Sequence, residues 1–113
     1  RDWLRHAKFN VTQGKNFVAS GSIGPWMVTA DEFDGFDNLR VQSRVNGETR
    51  QTSNLNALIW SVPETISYLS GLVELAAGDL IYSGTPAGVA AIERGDVLEG
   101  HVDGLTDLKI TIA

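Results

Sequence analysis

Residues 79–88 combine residue types that could bind a ligand at the end of a strand. An apolar start predicts the strand, and the loop after it offers backbone amides and the hydroxyl of Thr85. Gly84 and Gly88 permit a positive φ or the close approach of a ligand, while Pro86 fixes its own φ. The pattern therefore indicates a ligand contact. A tight turn between two core strands is the alternative interpretation.

Lys15 is a second candidate, because it places an ammonium beside the flexible Gly14. It does not belong to a Walker loop, since the earlier glycine and the following Ser or Thr are missing. An ordinary solvated lysine is the alternative interpretation. Arg1 and Asp2 could join a polar site, although charges near a chain end are usually just solvated.

Other arrangements of polar residues do not support a reaction. Ser22 resembles the serine of a nucleophile elbow, but Ser20 stands where that motif needs glycine. His6 and His101 lack the spacing of metal ligands, so we expect structural or surface roles for both. Residues 31–38 are acidic, yet their spacing does not match a calcium loop. We therefore predict no metal ligand among these residues.

Composition limits the possible classes of partner. The chain has 113 residues, 42% of them hydrophobic, which is enough for one domain. Its formal charge of −5 argues against nucleic acid or an anionic membrane as the partner. The absence of cysteine excludes disulfides and thiolate chemistry. No apolar run has the length of a membrane span or the pattern of a signal peptide, which favours a cytoplasmic location.

The clearest local structure is a hairpin. Residues 39–45 alternate apolar and polar side chains, and residues 48–52 form the predicted second strand. Asn46 and Gly47 between them are the residues that a two-residue type I′ turn prefers. We expect one face of this antiparallel pair to be exposed to solvent.

One main helix is predicted over about 62–72. Ser61 can cap it, and Glu64 occupies the reciprocal position of a capping box. Its apolar side chains recur at spacings of three and four, which predicts a stripe packed on a sheet. They are Ile66, Leu69, Leu72 and Val73.

Further strands are predicted at residues 26–29, 80–82 and 97–102 and within 105–112. Asp103 and Gly104 are the predicted central pair of a compact final hairpin. About six strands and one helix, without a βαβ series, predict a mainly antiparallel α+β architecture.

Six short motifs occur in an order and spacing that resemble the fumarylacetoacetate hydrolase family. They are Arg1-Asp2-Trp3, Gly14-Lys15-Asn16-Phe17, the run 24–32, Val45-Asn46-Gly47-Glu48, Gly78-Asp79-Leu80-Ile81 and the run 83–89. The resemblance implies a mixed β-sandwich roll, α+β and mainly β. It also implies a single domain over 1–113 that is the C-terminal part of a larger catalytic domain, and a homodimer or higher homo-oligomer.

The same resemblance implies a divalent cation, Mg²⁺ or Mn²⁺, whose two glutamate ligands and one aspartate ligand precede Arg1. Lys15 matches the family's active-site lysine, Gly84 and Thr85 match the loop that holds the substrate's carboxylate or oxyanion, and Arg1 matches a residue lining the site. Lys15 would place positive charge where an enolate develops, and Thr85 would donate a hydrogen bond.

Three functions follow as hypotheses. The first is a metal-dependent hydrolase that cleaves a carbon–carbon bond of acylpyruvate-type 2-oxo acids in aromatic-compound catabolism. The second is an isomerase or decarboxylase of unsaturated 2-oxo diacids, of the 2-hydroxyhepta-2,4-diene-1,7-dioate isomerase type. The third is a non-catalytic β-rich binding module, because these residues contain no complete acid–base pair or metal site.

Overall fold

The centre of the fold is an antiparallel hairpin whose turn is made by Asn46 and Gly47. In the computed structural model, which describes residues 15–113, both residues have a positive φ, +51° and +81°. A type I′ turn requires this at both central positions, so the prediction of the turn is confirmed. The flanking strands are β1, Arg40–Val45, and β2, Glu48–Asn54.

Two further strands complete one four-stranded sheet. Strand β3, Val97–Val102, pairs with β1, and β4, Leu108–Thr111, pairs with β3. The order is β2-β1-β3-β4, and every pair is antiparallel. The Asn46 side chain fixes one end of the β1–β3 pair, because its Oδ1 accepts a hydrogen bond from the backbone N–H of Val97 at 2.9 Å.

A bulge changes the register of the first hairpin. A two-residue turn without a bulge would place Ser43 opposite Arg50. In the structure Arg44 pairs with Thr49 but Ser43 pairs with Gln51, which leaves Arg50 as an extra residue on β2. A bulge of this kind bends a strand and re-aims the side chains beyond it. Gln51 is therefore paired across the sheet with Ser43.

The helix α1, Val62–Ser70, begins with the predicted capping box. The backbone N–H of Glu64 donates to the Ser61 hydroxyl at 3.4 Å, and the backbone N–H of Ser61 donates to the Glu64 carboxylate at 2.8 Å. The helix ends before Gly71, two residues earlier than predicted. Gly71 keeps an αR backbone, with φ −78° and ψ −15°, and the backbone N–H groups of Gly71 and Leu72 donate to carbonyls three residues earlier, which tightens the end of the helix into a turn. Short 3₁₀ turns lie at Ala30–Glu32 and Leu55–Ala57.

Several predicted strands do not form within residues 15–113. Residues 26–29 and 80–82 have no regular structure, and the last strand begins at Leu108 rather than near residue 105. The sheet therefore has four strands instead of about six. An apolar run becomes a strand only when a partner supplies ladder hydrogen bonds, and the described residues provide none for these two runs. The α+β class, mainly sheet with one helix, is confirmed, and the sandwich roll stays a prediction.

Apolar side chains remain open to solvent over much of this surface. No side chain in residues 15–113 is fully buried. The predicted apolar stripe of α1 is not covered, since Leu72 is 65% exposed and Ile66 44%. The prediction that this stripe packs on the sheet is wrong for the part of the chain that the structure describes. No helix in that part is long and apolar enough to cross a membrane.

Candidate active site

The loop at residues 84–88 has the backbone that its glycines predict. Gly84 has a φ of +106° and Gly88 a φ of +103°, both in the region that favours glycine. A Cβ atom built on Gly88 would overlap the carbonyl oxygen of Arg50, the extra residue of the β2 bulge. The loop therefore docks on the bulge through a contact that only glycine permits.

A chain of hydrogen bonds ties the same loop to the sheet. The Ser43 hydroxyl donates to Oε1 of Gln51 at 3.0 Å. The Gln51 amide Nε2 donates to the Thr85 hydroxyl oxygen at 2.8 Å and to the carbonyl oxygen of Pro86, also at 2.8 Å. Because Ser43 and Gln51 pair across β1 and β2, the sheet register determines where Thr85 is held.

Thr85 lies on the wall of two neighbouring cavities. The first has a volume of about 370 Å³ and brings Gly84 and Thr85 together with Ser43, Gln51 and His101. We call it the Thr85 cavity. The second has a volume of about 500 Å³ and reaches from the same loop towards Trp60 and the start of α1. Both volumes are typical of a small-molecule site.

His101 on β3 is held between two carboxylates at the rim of the Thr85 cavity. Its Nδ1 lies 2.6 Å from Oδ1 of Asp107, and its Nε2 lies 3.0 Å from Oδ1 of Asp103. These hydrogen bonds raise the pKa of His101 above its ordinary value, and the one to Asp107 has the larger effect. Asp103 also accepts from the backbone N–H of Arg40 at 2.8 Å, which lowers the pKa of that carboxyl.

Metal ligands are not assembled by this part of the molecule. Within residues 15–113, no group of three or more His, Asp or Glu side chains is placed to hold a metal ion. The Thr85 cavity offers hydroxyl and amide groups and the His101 ring, and these do not make the hard oxygen set that Mg²⁺ or Mn²⁺ prefers. The described residues therefore do not make a cation site by themselves.

Comparison with protein families identifies the chain. A family model described as fumarylacetoacetate (FAA) hydrolase C-terminal matches residues 1–113. The chain belongs to the fumarylacetoacetate hydrolase family. The resemblance carried by the six motifs is thereby confirmed. The matching family model describes the C-terminal part of these enzymes. The proteins similar to this chain include hydrolases.

Three relatives within the fumarylacetoacetate hydrolase family are informative. A maleylpyruvate hydrolase of Aquipseudomonas alcaligenes is 39% identical over 90 residues, covering 80% of this chain and 31% of its own length. A mitochondrial oxaloacetate tautomerase of Rattus norvegicus is 35% identical over 101 residues, covering 89% of this chain and 45% of its own. The chain thus spans less than half the length of either protein.

The third relative is a solved structure. The crystal structure of a fumarylpyruvate hydrolase from Pseudomonas aeruginosa in complex with Mn²⁺ and pyruvate has a TM-score of 0.65 and 47% sequence identity. The match covers 67% of this chain and 33% of that chain. A member of the family therefore holds a divalent cation together with a 2-oxo acid.

The site residues predicted from the sequence are only partly brought together. Gly84 and Thr85 line the same cavity. Lys15 is exposed, and it does not line either of the two cavities at Thr85. Arg1 lies outside the described residues. The roles of all four residues remain predictions.

Sequence reasoning missed Ser43 and Gln51. One signal for Ser43 was present, because it is the polar residue on the face of β1 that also carries Val41 and Val45. Gln51 gave no comparable signal, since the unbulged register pairs Ser43 with Arg50 instead. His101 was expected to be structural or at the surface, and the structure shows that it lines the Thr85 cavity.

Proposed function

We propose that this chain is the C-terminal part of a metal-dependent hydrolase that cleaves a carbon–carbon bond of acylpyruvate-type 2-oxo acids in aromatic-compound catabolism. The observation that carries the proposal is the Thr85 hydroxyl, held by Gln51 at a cavity wall in a chain similar to a maleylpyruvate hydrolase and a fumarylpyruvate hydrolase. Hydrolysis of either acylpyruvate releases pyruvate, so a site for the pyruvate half serves both substrates.

The reaction requires the protein to bind the carboxylate of the pyruvate half and to stabilise the enolate that forms on it. Water delivers its hydroxyl to the acyl carbon and a proton to the methylene carbon of the leaving pyruvate, while the bond between those two carbons breaks. The pyruvate half carries a carboxylate throughout and an enolate as the bond breaks. Thr85 donates a hydrogen bond to the carboxylate from a preorganised loop, and Gly84 lets the substrate approach the backbone. Balancing the enolate charge is the role that the family resemblance gives to the ammonium of Lys15, a residue that lines neither cavity at Thr85 in the structure.

A divalent cation, Mg²⁺ or Mn²⁺, belongs to the proposal, with ligands in sequence that precedes Arg1 in the complete protein. When bound, it supplies a positive charge that polarises the 2-oxo group. Support comes from the fumarylpyruvate hydrolase relative, whose crystal structure includes Mn²⁺ and pyruvate. Arg1 lining the site, a completed sandwich roll, a homodimer or higher homo-oligomer and a cytoplasmic location belong to the same proposal.

Variants of Thr85 and Lys15 in the complete protein test the assignment. Thr85→Ala removes a preorganised donor and is expected to lower kcat/KM for maleylpyruvate or fumarylpyruvate by about a hundredfold or more. Lys15→Ala is expected to lower kcat more than it raises KM, because enolate charge develops only during the reaction. Thr111→Val, the matched control, removes a hydroxyl on β4 at a residue that lines neither cavity and should leave the rate within about twofold. Turnover at the wild-type rate by both Ala variants would reject these roles.

An isomerase or tautomerase is the second candidate, favoured by the oxaloacetate tautomerase relative. Tautomerisation and hydrolysis share an enolate of a 2-oxo acid, so the same Thr85 and Lys15 groups suit both. Proton NMR of the products separates the two functions. Release of pyruvate and a carboxylic acid supports the hydrolase, whereas keto–enol exchange or double-bond migration without cleavage supports the isomerase.

A further inference from the structure

The Gln51 amide makes hydrogen bonds whose direction is fixed by chemistry. A carbonyl oxygen can only accept, so the Gln51 atom that lies 2.8 Å from the Pro86 carbonyl oxygen must be the Nε2 donor. The opposite orientation of the amide would bring two acceptors together. Pro86 therefore determines which way the Gln51 amide faces.

This orientation passes to Thr85 on one side and to Ser43 on the other. Nε2 carries two hydrogens, one for the Pro86 carbonyl and one for the Thr85 hydroxyl oxygen, also at 2.8 Å. The acceptor Oε1 then faces Ser43, whose hydroxyl donates to it at 3.0 Å. The Ser43 hydroxyl hydrogen and both Gln51 Nε2 hydrogens thus each meet one acceptor.

We propose that Ser43 and Gln51 are positioning residues that make the Thr85 hydroxyl a donor towards the Thr85 cavity. A hydroxyl has one hydrogen and two lone pairs. Because Gln51 occupies a lone pair, the hydrogen of Thr85 stays available to a ligand. A ligand group that only accepts, such as the carboxylate of a 2-oxo acid, can take this hydrogen, and its charge makes it a stronger acceptor than a neutral group. One lone pair of Thr85 also stays free, so the preference for a carboxylate comes from this charged hydrogen bond. This inference rests on the proposed function and assigns the specificity of the same site.

Directing the hydroxyl is separate from docking the loop. Gly88 lets the loop approach the β2 bulge at Arg50 and the Gln51 amide binds the loop at Pro86, whereas Ser43 makes no hydrogen bond to the loop itself within the described residues. A role in docking alone would not need the Ser43 hydroxyl. A role in directing Thr85 does, because Ser43 stabilises the acceptor side of the Gln51 amide.

Gln51→Glu in the complete protein provides the sharpest test, because a carboxylate of the same shape accepts where the amide donated. Thr85 would then donate to residue 51 and turn lone pairs to the ligand. Calorimetry with Mn²⁺ present is expected to show pyruvate binding weakened on the order of ten- to a hundredfold. Pyruvamide, whose amide can donate, should lose less, so the preference for pyruvate over pyruvamide falls.

Matched variants separate direction from stability and charge. Ser43→Ala is expected to weaken pyruvate binding about threefold to tenfold, and Ser43→Thr should restore it by returning the hydroxyl. Gln42→Glu adds the same charge at another residue that lines the Thr85 cavity and makes no side-chain hydrogen bond to the 84–88 loop within the described residues, so it measures repulsion alone and should lower the preference for pyruvate less than Gln51→Glu does. Equal loss of pyruvate and pyruvamide in Gln51→Glu, or unchanged binding in Ser43→Ala, would overturn the proposal.

A measurement without ligand keeps the test independent of the proposed function. In the wild-type protein both side-chain N–H groups of Gln51 should exchange slowly with solvent in NMR, and Thr85→Val and Ser43→Ala should accelerate that exchange. If pyruvate, oxalate and acetate all fail to bind the wild-type protein, the proposed function fails. The exchange data then test the hydrogen-bond chain alone. Slow exchange of the Gln51 side-chain N–H groups supports it, and rapid exchange refutes it.

Discussion

His101 is the residue whose environment makes the clearest prediction about pH. Asp107 and Asp103 hold its two ring nitrogens, and both hydrogen bonds favour the protonated ring. We expect an NMR titration of the complete protein to give His101 a pKa above its ordinary value of about 6.5. Asp107→Asn should lower that pKa more than Asp103→Asn, because the hydrogen bond that His101 donates to Asp107 is the larger cause. Equal values in all three proteins would contradict this assignment.

The same shift of the His101 pKa has a signed effect on stability. A pKa raised by folding stabilises the folded state most where both states are protonated, which is below about pH 6.5. That stabilisation disappears as the pH rises through the folded pKa of His101. The free energy of unfolding of the wild-type protein should therefore exceed that of His101→Gln most at about pH 5.5 to 6 and lose this excess above the folded pKa.

At the scale of elements, the contact between the loop at residues 84–88 and the β2 bulge determines the position of Thr85. Gly88→Ala brings a Cβ into the Arg50 carbonyl and adds the strain of a positive φ. We expect it to lower the free energy of unfolding by about 2 to 4 kcal/mol and to weaken pyruvate binding by displacing the loop. Urea unfolding and calorimetry measure the two effects.

Gly78→Ala is the matched control for Gly88→Ala. Gly78 has a similar φ of +96°, but a Cβ there meets no atom within 4 Å. Gly78→Ala should lower the free energy of unfolding only by the backbone strain, about 1 to 2 kcal/mol, and should leave pyruvate affinity unchanged. If both variants lose the same stability and affinity, the docking contact at Arg50 does not position the loop.

Local sequence rules succeeded where a few neighbouring residues decide the structure. Asn46 and Gly47 form the predicted turn, Ser61 and Glu64 form the predicted capping box, and Gly84 has the positive φ that it permits. The rules missed features that depend on distant contacts. The extra residue Arg50 is accommodated where Gly88, far along the chain, approaches the β2 backbone, so the pairing of Ser43 with Gln51 does not follow from the hairpin alone.

At the scale of the whole molecule, several large apolar side chains of the described residues are exposed to solvent. Ile59 is 93% exposed, Trp60 67% and Tyr82 77%, and Tyr82 belongs to a run that the sequence predicts to be a strand. The radius of gyration is 15.4 Å, against about 13 Å for a well-packed domain of about 100 residues. The helix stripe and the unpaired apolar runs find no surface that buries them within residues 15–113.

This exposure predicts how residues 1–113 behave when they are produced alone. Apolar patches of more than a few hundred Å² bind hydrophobic dyes and drive association, because removing them from water is favourable. We expect the 113-residue polypeptide to enhance ANS fluorescence and to self-associate in sedimentation equilibrium, whereas the complete protein forms one defined oligomer and binds little dye. The double variant Ile59→Ser with Trp60→Ser should reduce dye binding by the polypeptide, while Thr49→Ser, which leaves the apolar surface intact, should not. A monomeric polypeptide that binds no dye and unfolds cooperatively in urea would show that these residues complete their own core.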